Sequence, residues 1–414
     1  MAKVFIVSTR DVKGDQDNGR IRTMHSIWEA AGENRFEVNI RSLLEKASYL
    51  TLISRLLLRV VFSRPSRRWP LQSVLFDDRK EISRILEEID REKPTVVYFD
   101  TVRCLPIILA VHARFPAMRL VCDFDDLLSR RIQLLQELRC YVALGYLDSF
   151  APKFIKKVIE MPRISQQILR YESQSLTYAE QEIVRATSAV VLVSSVEVAV
   201  LRSQLSEALR QRVVLAPAPV AMHAPVALGS GPYRFVFVGR DRQLQNRLAI
   251  EYLLDLWEKH QVRQPLYIFG LQSVTIREVE QVYWPGFCRD MEDIYDSNSL
   301  LLSPALLRGG VKTKMIEAIG QGCVAIGNEA AFEGIDMPDN PLAVAESEIV
   351  DLVQNPERYL ERLVDGAKKM QSYCAKYHSN EHHQAIWRKV FDPGETSNFS
   401  FHEANNWSAT CERR

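Results

Sequence analysis

The sequence predicts an α/β protein built from two doubly wound domains. Three observations predict it. Short β-branched runs alternate with longer helical patterns along the whole chain. Several of those runs are apolar at every position, as strands of a parallel sheet covered on both faces must be. A stretch holding Pro217, Pro219, Pro225 and Pro232 divides the alternation into halves, each with its own strands. At 414 residues the chain is too long for one core and suits two or three domains.

In the first half the expected strands are Val4–Val7, Phe36–Ile40, Thr95–Phe99, Leu120–Asp123, Ala189–Val193 and Val213–Leu215. In the second half they are Phe235–Val238, Leu266–Phe269, Leu300–Leu302 and Cys323–Ile326. The expected boundaries follow: a first domain over 1–220, a second over 233–380, and a C-terminal helix with a mobile tail over 381–414. Ligands of open α/β sheets bind at the carboxyl ends of the strands, so two such domains facing a cleft point to a nucleotide-type ligand.

Composition narrows the function. Lys plus Arg number 53 and Asp plus Glu 52, a balance that argues against general nucleic-acid binding. The seven cysteines are scattered, with no C-x-x-C pair and no histidine at zinc-ligand spacing. A disulfide framework and a structural zinc are therefore not expected, and a reducing cytoplasmic setting fits. The apolar start Val4–Val7 is too short for the core of a signal peptide. No run of about 18 apolar residues occurs to span a membrane.

The most informative stretch follows Leu300–Leu302. A loop with Arg308, Gly309 and Gly310 leads into a helical pattern carrying Lys312, Lys314 and Glu317. Glycines let backbone approach a ligand closely. A helix start offers free N–H groups and partial positive charge, worth about 0.3–1 kcal/mol to a nearby anion. Lys314 and Glu317 stand three apart and share a helix face. A cation beside a phosphate and a carboxylate beside a sugar diol is what a nucleoside diphosphate needs. Each piece alone has a plainer explanation: a Gly-Gly pair is commonly just a turn, and Lys-x-x-Glu is commonly a solvated pair worth about 0.2–0.5 kcal/mol. Their order behind a buried strand favours the site.

Here the sequence resembles the retaining GT-B glycosyltransferases of the family 4 type (glycosyl transferases group 1). Their pattern G-G-x-x-x-K-x-x-E-A-x-x-x-G is matched by Gly309, Gly310, Lys314, Glu317, Ala318 and Gly322, with Glu333-Gly334-Ile335 as the following E-G-(I/L). Phe237-Val238-Gly239-Arg240 with Asn246, and Gly286-Phe287, are similar to two further family segments. The resemblance implies two Rossmann-like domains facing a cleft and a transfer that needs neither metal nor cofactor. It implies that Glu317 accepts from the ribose hydroxyls. It implies that Lys314, Arg240 and the amides of Gly309, Gly310 and Val311 hold the diphosphate, and that Cys288 meets the base through its backbone. The family's acidic residue eight positions before Glu317 is Gly309 here, so donor identity is less predictable. The usual lysine after Arg240 is also absent, with Arg242 and Arg247 as candidate substitutes.

In the first half, Asp17-Asn18-Gly19-Arg20-Ile21-Arg22-Thr23 is similar to a family loop near the donor phosphates. Gly19 and Arg22 are the donor-binding candidates. Of Arg20 and Arg22, two apart, at most one points into the cleft, and Arg22 is the one expected to. Asp123-Phe124-Asp125-Asp126 follows the fourth strand, and three carboxylates so close must be solvated, paired or bound to a cation. A D-x-D metal site belongs to enzymes with one nucleotide domain, so it is rejected for this chain. In the family's loop Asp125 takes a slot near the reacting sugar. The family's front-face transfer lets the leaving phosphate deprotonate the acceptor, so protein groups mainly stabilise the leaving diphosphate. Asp100-Thr101, Tyr171-Glu172 and Ser194 also resemble family positions and read as structural.

Segment 41–76 carries net charge +6, with Leu52, Ile53, Leu56, Leu57, Val60 and Val61 opposite Arg55 and Arg59. That is the pattern of an interfacial helix at an anionic membrane, with Phe154–Ile159 adding to it. The alternative is an apolar stripe packed on the core with solvated arginines. The expected protein is a cytoplasmic glycosyltransferase, peripheral on the inner face of the membrane. Its expected partners are a nucleotide diphosphate sugar donor and a glycan or glycolipid acceptor, of the lipid-linked or lipopolysaccharide type, and no nucleic acid. The rival expectations are a partner or scaffold subunit without catalysis, and a nucleotide-sugar epimerase of the same fold.

Overall fold

The computed structural model describes residues 2–10, 19–41, 54–55, 69–142, 153–229, 231–273, 275–392 and 394. The chain forms two compact units, Met1–Ala216 with Gln384–Arg414, and Pro217–His383.

In unit 1 the strands are β1 (Val4–Ser8), β2 (Arg35–Asn39), β3 (Val96–Asp100), β4 (Arg119–Asp125), β5 (Ala189–Leu192) and β6 (Val213–Leu215). They form one parallel sheet in the order β2-β1-β3-β4-β5-β6. β1 and β3 are buried along their whole length, because helices cover both faces of the sheet. The core has two layers. Phe5, Phe99, Cys122 and Val190 face helices that include Leu105–Arg114 and Pro162–Ala186. Ile6, Tyr98, Val121 and Val191 face helix Gly19–Ala31 and the C-terminal helix Asn380–Phe391. That last contact places the C-terminal helix with the first unit. Trp387, Val390 and Phe391 are apolar, and they bury themselves in the first unit's core.

Unit 2 has β7 (Arg234–Val238), β8 (Leu266–Phe269), β9 (Val282–Gly286), β10 (Ser299–Leu302) and β11 (Val324–Ile326). They form a parallel sheet in the order β11-β10-β7-β8-β9. Both units are Rossmann-like and doubly wound. The strand missed by sequence is β9. It is an edge strand with alternating exposure and contains Pro285, which only an edge tolerates.

In each sheet the chain steps outward from one strand and later returns to that strand's other side. The crevice lies between β1 and β3 in unit 1, and between β7 and β10 in unit 2. Most of segment 41–76 lies outside the described residues, as do residues 143–152 and 395–414. Among the described residues no helix is long and apolar enough to cross a membrane.

Candidate functional site

The loops beyond β7 and β10 in unit 2 bring several expected residues together. Helix Thr313–Gly320 starts after Lys312, so Lys314 lies in its first turn. The Lys314 Nζ donates to Asn246 Oδ1 at 2.8 Å and sits 4.2 Å from the Phe237 ring centroid. Burial pulls its pKa down to about 7; Glu317, one turn on, opposes the shift, and Lys312 adds to it. Asn246 is itself fixed, its Nδ2 donating to the Arg240 carbonyl at 3.2 Å and to Gln243 Oε1 at 3.1 Å. Gly239 permits that approach, since a Cβ there would stand 2.7 Å from Asn246 Nδ2. Arg240 is exposed. Of the candidate lysine substitutes, Arg242 is exposed and Arg247 donates from Nε to the Asp241 carbonyl at 3.3 Å. Cys288 lies farther along the same edge, past Gly286 at the end of β9, with its Sγ 3.3 Å from the Asp290 carbonyl.

Gly309 (φ 100°) and Gly310 (φ 64°) both occupy the left-handed region, which glycine enters without strain. The Lys312 Nζ folds back to the Gly309 carbonyl at 2.6 Å. The Gly309 N–H donates to Glu333 Oε1 at 3.0 Å. This differs from the expectation that the Gly309 amide faces a phosphate: a carboxylate from beyond β11 already takes it. Sequence spacing gives no sign of that contact, which joins residues 24 apart.

In unit 1 a second constellation surrounds the β1–β3 crevice. Helix Gly19–Ala31 turns positions 20, 23, 24 and 27 to the sheet, so Arg20 is buried there and Arg22 is exposed. Gly19 is the helix's first residue. The Arg20 Nη2 donates to Asp123 Oδ2 at 2.7 Å and to Asp100 Oδ1 at 3.0 Å, and its Nη1 lies 3.4 Å from Asp125 Oδ1. Burial opposes the charge, but the carboxylates, Asp123 first, hold the guanidinium pKa above its ordinary value. The Arg10 Nη2 also pairs with Asp125 Oδ2 at 3.4 Å. For Asp100, burial pushes the pKa up, yet Arg10 and Arg20 outweigh it and bring it down to about 2. Asp123 is raised by burial, partly offset by Arg20, and receives the Tyr98 hydroxyl at 3.0 Å. These carboxylates are thus engaged by guanidinium groups. Among the described residues no group of three or more His, Cys, Asp or Glu is arranged to hold a metal ion.

Backbone strain marks the same corner. Thr101 (φ 73°) and Asp125 (φ 64°) are left-handed without being glycine, and the β4–β5 pairing slips between Asp123 and Asp125. Of the residues read as structural, Asp100 and Thr101 stand at this corner, with Thr9 Oγ1 donating to Asp100 Oδ2 at 2.8 Å. Ser194 caps the helix Ser195–Ser203, and the Tyr171 hydroxyl donates to the Trp69 carbonyl at 2.9 Å.

Solved structures share this architecture. Sucrose-phosphate synthase from Thermosynechococcus elongatus aligns with a TM-score of 0.62 at 13% identity, over 94% of this chain and 99% of that one. HepE from Anabaena, solved with UDP-glucose, aligns with a TM-score of 0.59 at 10% identity, over 95% and 100%. The lipopolysaccharide outer core galactosyltransferase WaaB aligns with a TM-score of 0.51 at 12% identity, over 94% and 98%. The fold is GT-B. Residues 232–362 of this GT-B chain match the family model of glycosyl transferases group 1, and that span holds all the constellation around Lys314. No curated protein matches the chain.

Proposed function

We propose that this GT-B protein is a glycosyltransferase that moves a sugar, with retention and without a metal, from a nucleoside diphosphate sugar to an acceptor hydroxyl. The observation that carries the reading is the half-buried Lys314, held by Asn246 at the β7–β10 crevice, with Glu317 one turn on. A lysine whose charge is disfavoured by burial gains most from an incoming anion, and the leaving diphosphate of a sugar transfer is such an anion. Glu317 would take the ribose hydroxyls. Arg240 and the Gly310 and Val311 amides would complete the phosphate cradle, and Cys288 would meet the base. The solved relatives bound to uridine nucleotides make a uridine donor the first to test.

Asp125 is assigned to the reacting end. Its carboxylate, paired with Arg10 and Arg20, would accept a hydrogen bond and orient a sugar hydroxyl. An acceptor on a lipid-linked or lipopolysaccharide-type glycan fits this reading, as does a cytoplasmic enzyme at the inner membrane face. Within segment 41–76 the described Arg55 is paired with Asp78 and donates to the Leu75 carbonyl at 3.2 Å.

The test is acceptor-dependent release of nucleoside diphosphate. Lys314→Ala and Glu317→Ala should each lower it by at least a hundredfold, about 2.7 kcal/mol of transition-state stabilisation, with unchanged melting behaviour. Full activity in either variant removes the assignment. Absence of binding to any sugar nucleotide would favour a partner subunit without catalysis. For the membrane, sedimentation with liposomes should depend on anionic lipid, and equal pelleting with and without it removes that part.

A further inference from the structure

The loop between β10 and helix Thr313–Gly320 is held from one side by a single neighbouring segment, Asn328–Glu333, at two separate points. Asn328 clamps Ala305 in both directions, accepting from its N–H at 3.0 Å and donating from Nδ2 to its carbonyl at 2.9 Å. Glu333 clamps Gly309, its Oε1 accepting the amide at 3.0 Å while Arg308 Nη1 stands 3.5 Å from Oε2. The Glu333 side chain is only 4% exposed, against 54% for Arg308. A nearly buried carboxylate is costly unless its partners are fixed, and a backbone amide is a partner that cannot rotate away. Gly309 and Gly310 have no side chain to hold their left-handed turn, and glycine has the most conformational freedom to lose. The carboxylate therefore restrains the residues with least restraint of their own, immediately before the helix that carries Lys314.

We propose that Glu333 is a positioning residue for the donor diphosphate. By accepting the Gly309 N–H it presets the glycine turn, so that the amides of Gly310 and Val311 meet the phosphates without a reorganisation cost at binding. The inference rests on the donor site described above. It also accounts for Gly309 in the place of an expected carboxylate. A side chain there is not needed, and its left-handed backbone lets a carboxylate from the neighbouring loop reach the amide.

Calorimetry on the full chain tests it, with UDP, ADP and GDP as probes and the corresponding nucleosides as controls. For the diphosphate that the wild type binds most tightly, Glu333→Ala should weaken binding about tenfold while nucleoside affinity stays within about twofold. Glu333→Gln retains an acceptor oxygen for the amide and should recover most of the loss. Asn328→Ala should weaken diphosphate binding in the same direction. The inference is overturned if Glu333→Ala binds the diphosphate like the wild type. It is overturned if Gln does no better than Ala, which would mean that the charge and not the amide contact matters. It is overturned if nucleoside and diphosphate weaken alike, or if binding is unchanged and only the melting temperature falls, the sign of a role in the fold alone. A wild type that binds none of the probes sinks the donor-site reading itself, and this inference with it.

Discussion

At the residue scale, Lys314 joins the physics of burial to the proposed chemistry. With its pKa near 7, much of its charge is lost as pH rises past neutrality, whereas an exposed lysine keeps its charge to about pH 10. A diphosphate bound there as proposed would restore the charged form. Binding near pH 8 should therefore take up a proton, visible as a dependence of the calorimetric enthalpy on the ionisation enthalpy of the buffer. Lys314→Ala should lack that uptake, and wild-type affinity should fall between about pH 7 and pH 9. An unchanged proton count in the variant would show that another group titrates. Lys314, Glu317 and the glycine pair were legible because their spacing is local to one strand–loop–helix. Arg20 was legible in principle, since it stands four before Met24 and seven before Ile27 on the buried helix face. Its burial escapes a reading that treats this stretch as a loop, where no helical phase applies. Glu333 was not legible as a partner of Gly309, because only the packing of β10 beside β11 brings the two loops together.

At the element scale, helix Leu128–Glu137 directly follows the Asp125–Asp126 loop, and carboxylates hold its start. Glu197 Oε2 accepts from the Leu127 N–H at 3.1 Å, and Glu180 Oε1 accepts from the Ser129 N–H at 2.9 Å. Two of the helix's unpaired first amides are thus satisfied from neighbouring helices rather than by a local cap. Burial drives the Glu180 pKa up to about 8, with Glu197 adding to the shift and the Ser129 contacts opposing it. Its ordinary value is 4.5, so between about pH 4.5 and pH 8 the folded state keeps a proton that the unfolded chain has lost. Stability falls as pH rises across that window. Glu180→Gln keeps the acceptor and removes the titration. Its urea midpoint should match the wild type near pH 5 and exceed it near pH 9; equal midpoints at both would show that Glu180 does not titrate there. Strands were read correctly where both faces are buried. β9 escaped because its edge position gives an alternating, proline-interrupted pattern that local rules discount.

At the scale of the whole molecule, unit 1 draws on both ends of the described chain. Trp387 is 1% exposed and meets Tyr98 edge-on at 5.6 Å, and Tyr98 in turn donates to Asp123 in the charged corner. Trp387→Ala should cost about 3–5 kcal/mol, read as a lower urea midpoint. Diphosphate affinity should survive it, because the Lys314 constellation belongs to the other unit. Loss of nucleotide binding together with stability would contradict that separation. The two-domain pattern was plain in the sequence. The return of the last helix to the first core was not, since its amphipathic pattern says that it packs without saying on what.

That return has a consequence for synthesis on the ribosome. All six strands of the first sheet emerge early, yet the surface formed by Ile6, Tyr98, Val121 and Val191 stays uncovered by Trp387 and Phe391 until the whole of Pro217–His383 has been translated. The second lobe can mature while the first waits with that face covered only by helix Gly19–Ala31, which makes the interval one of aggregation risk and a natural one for a chaperone to attend.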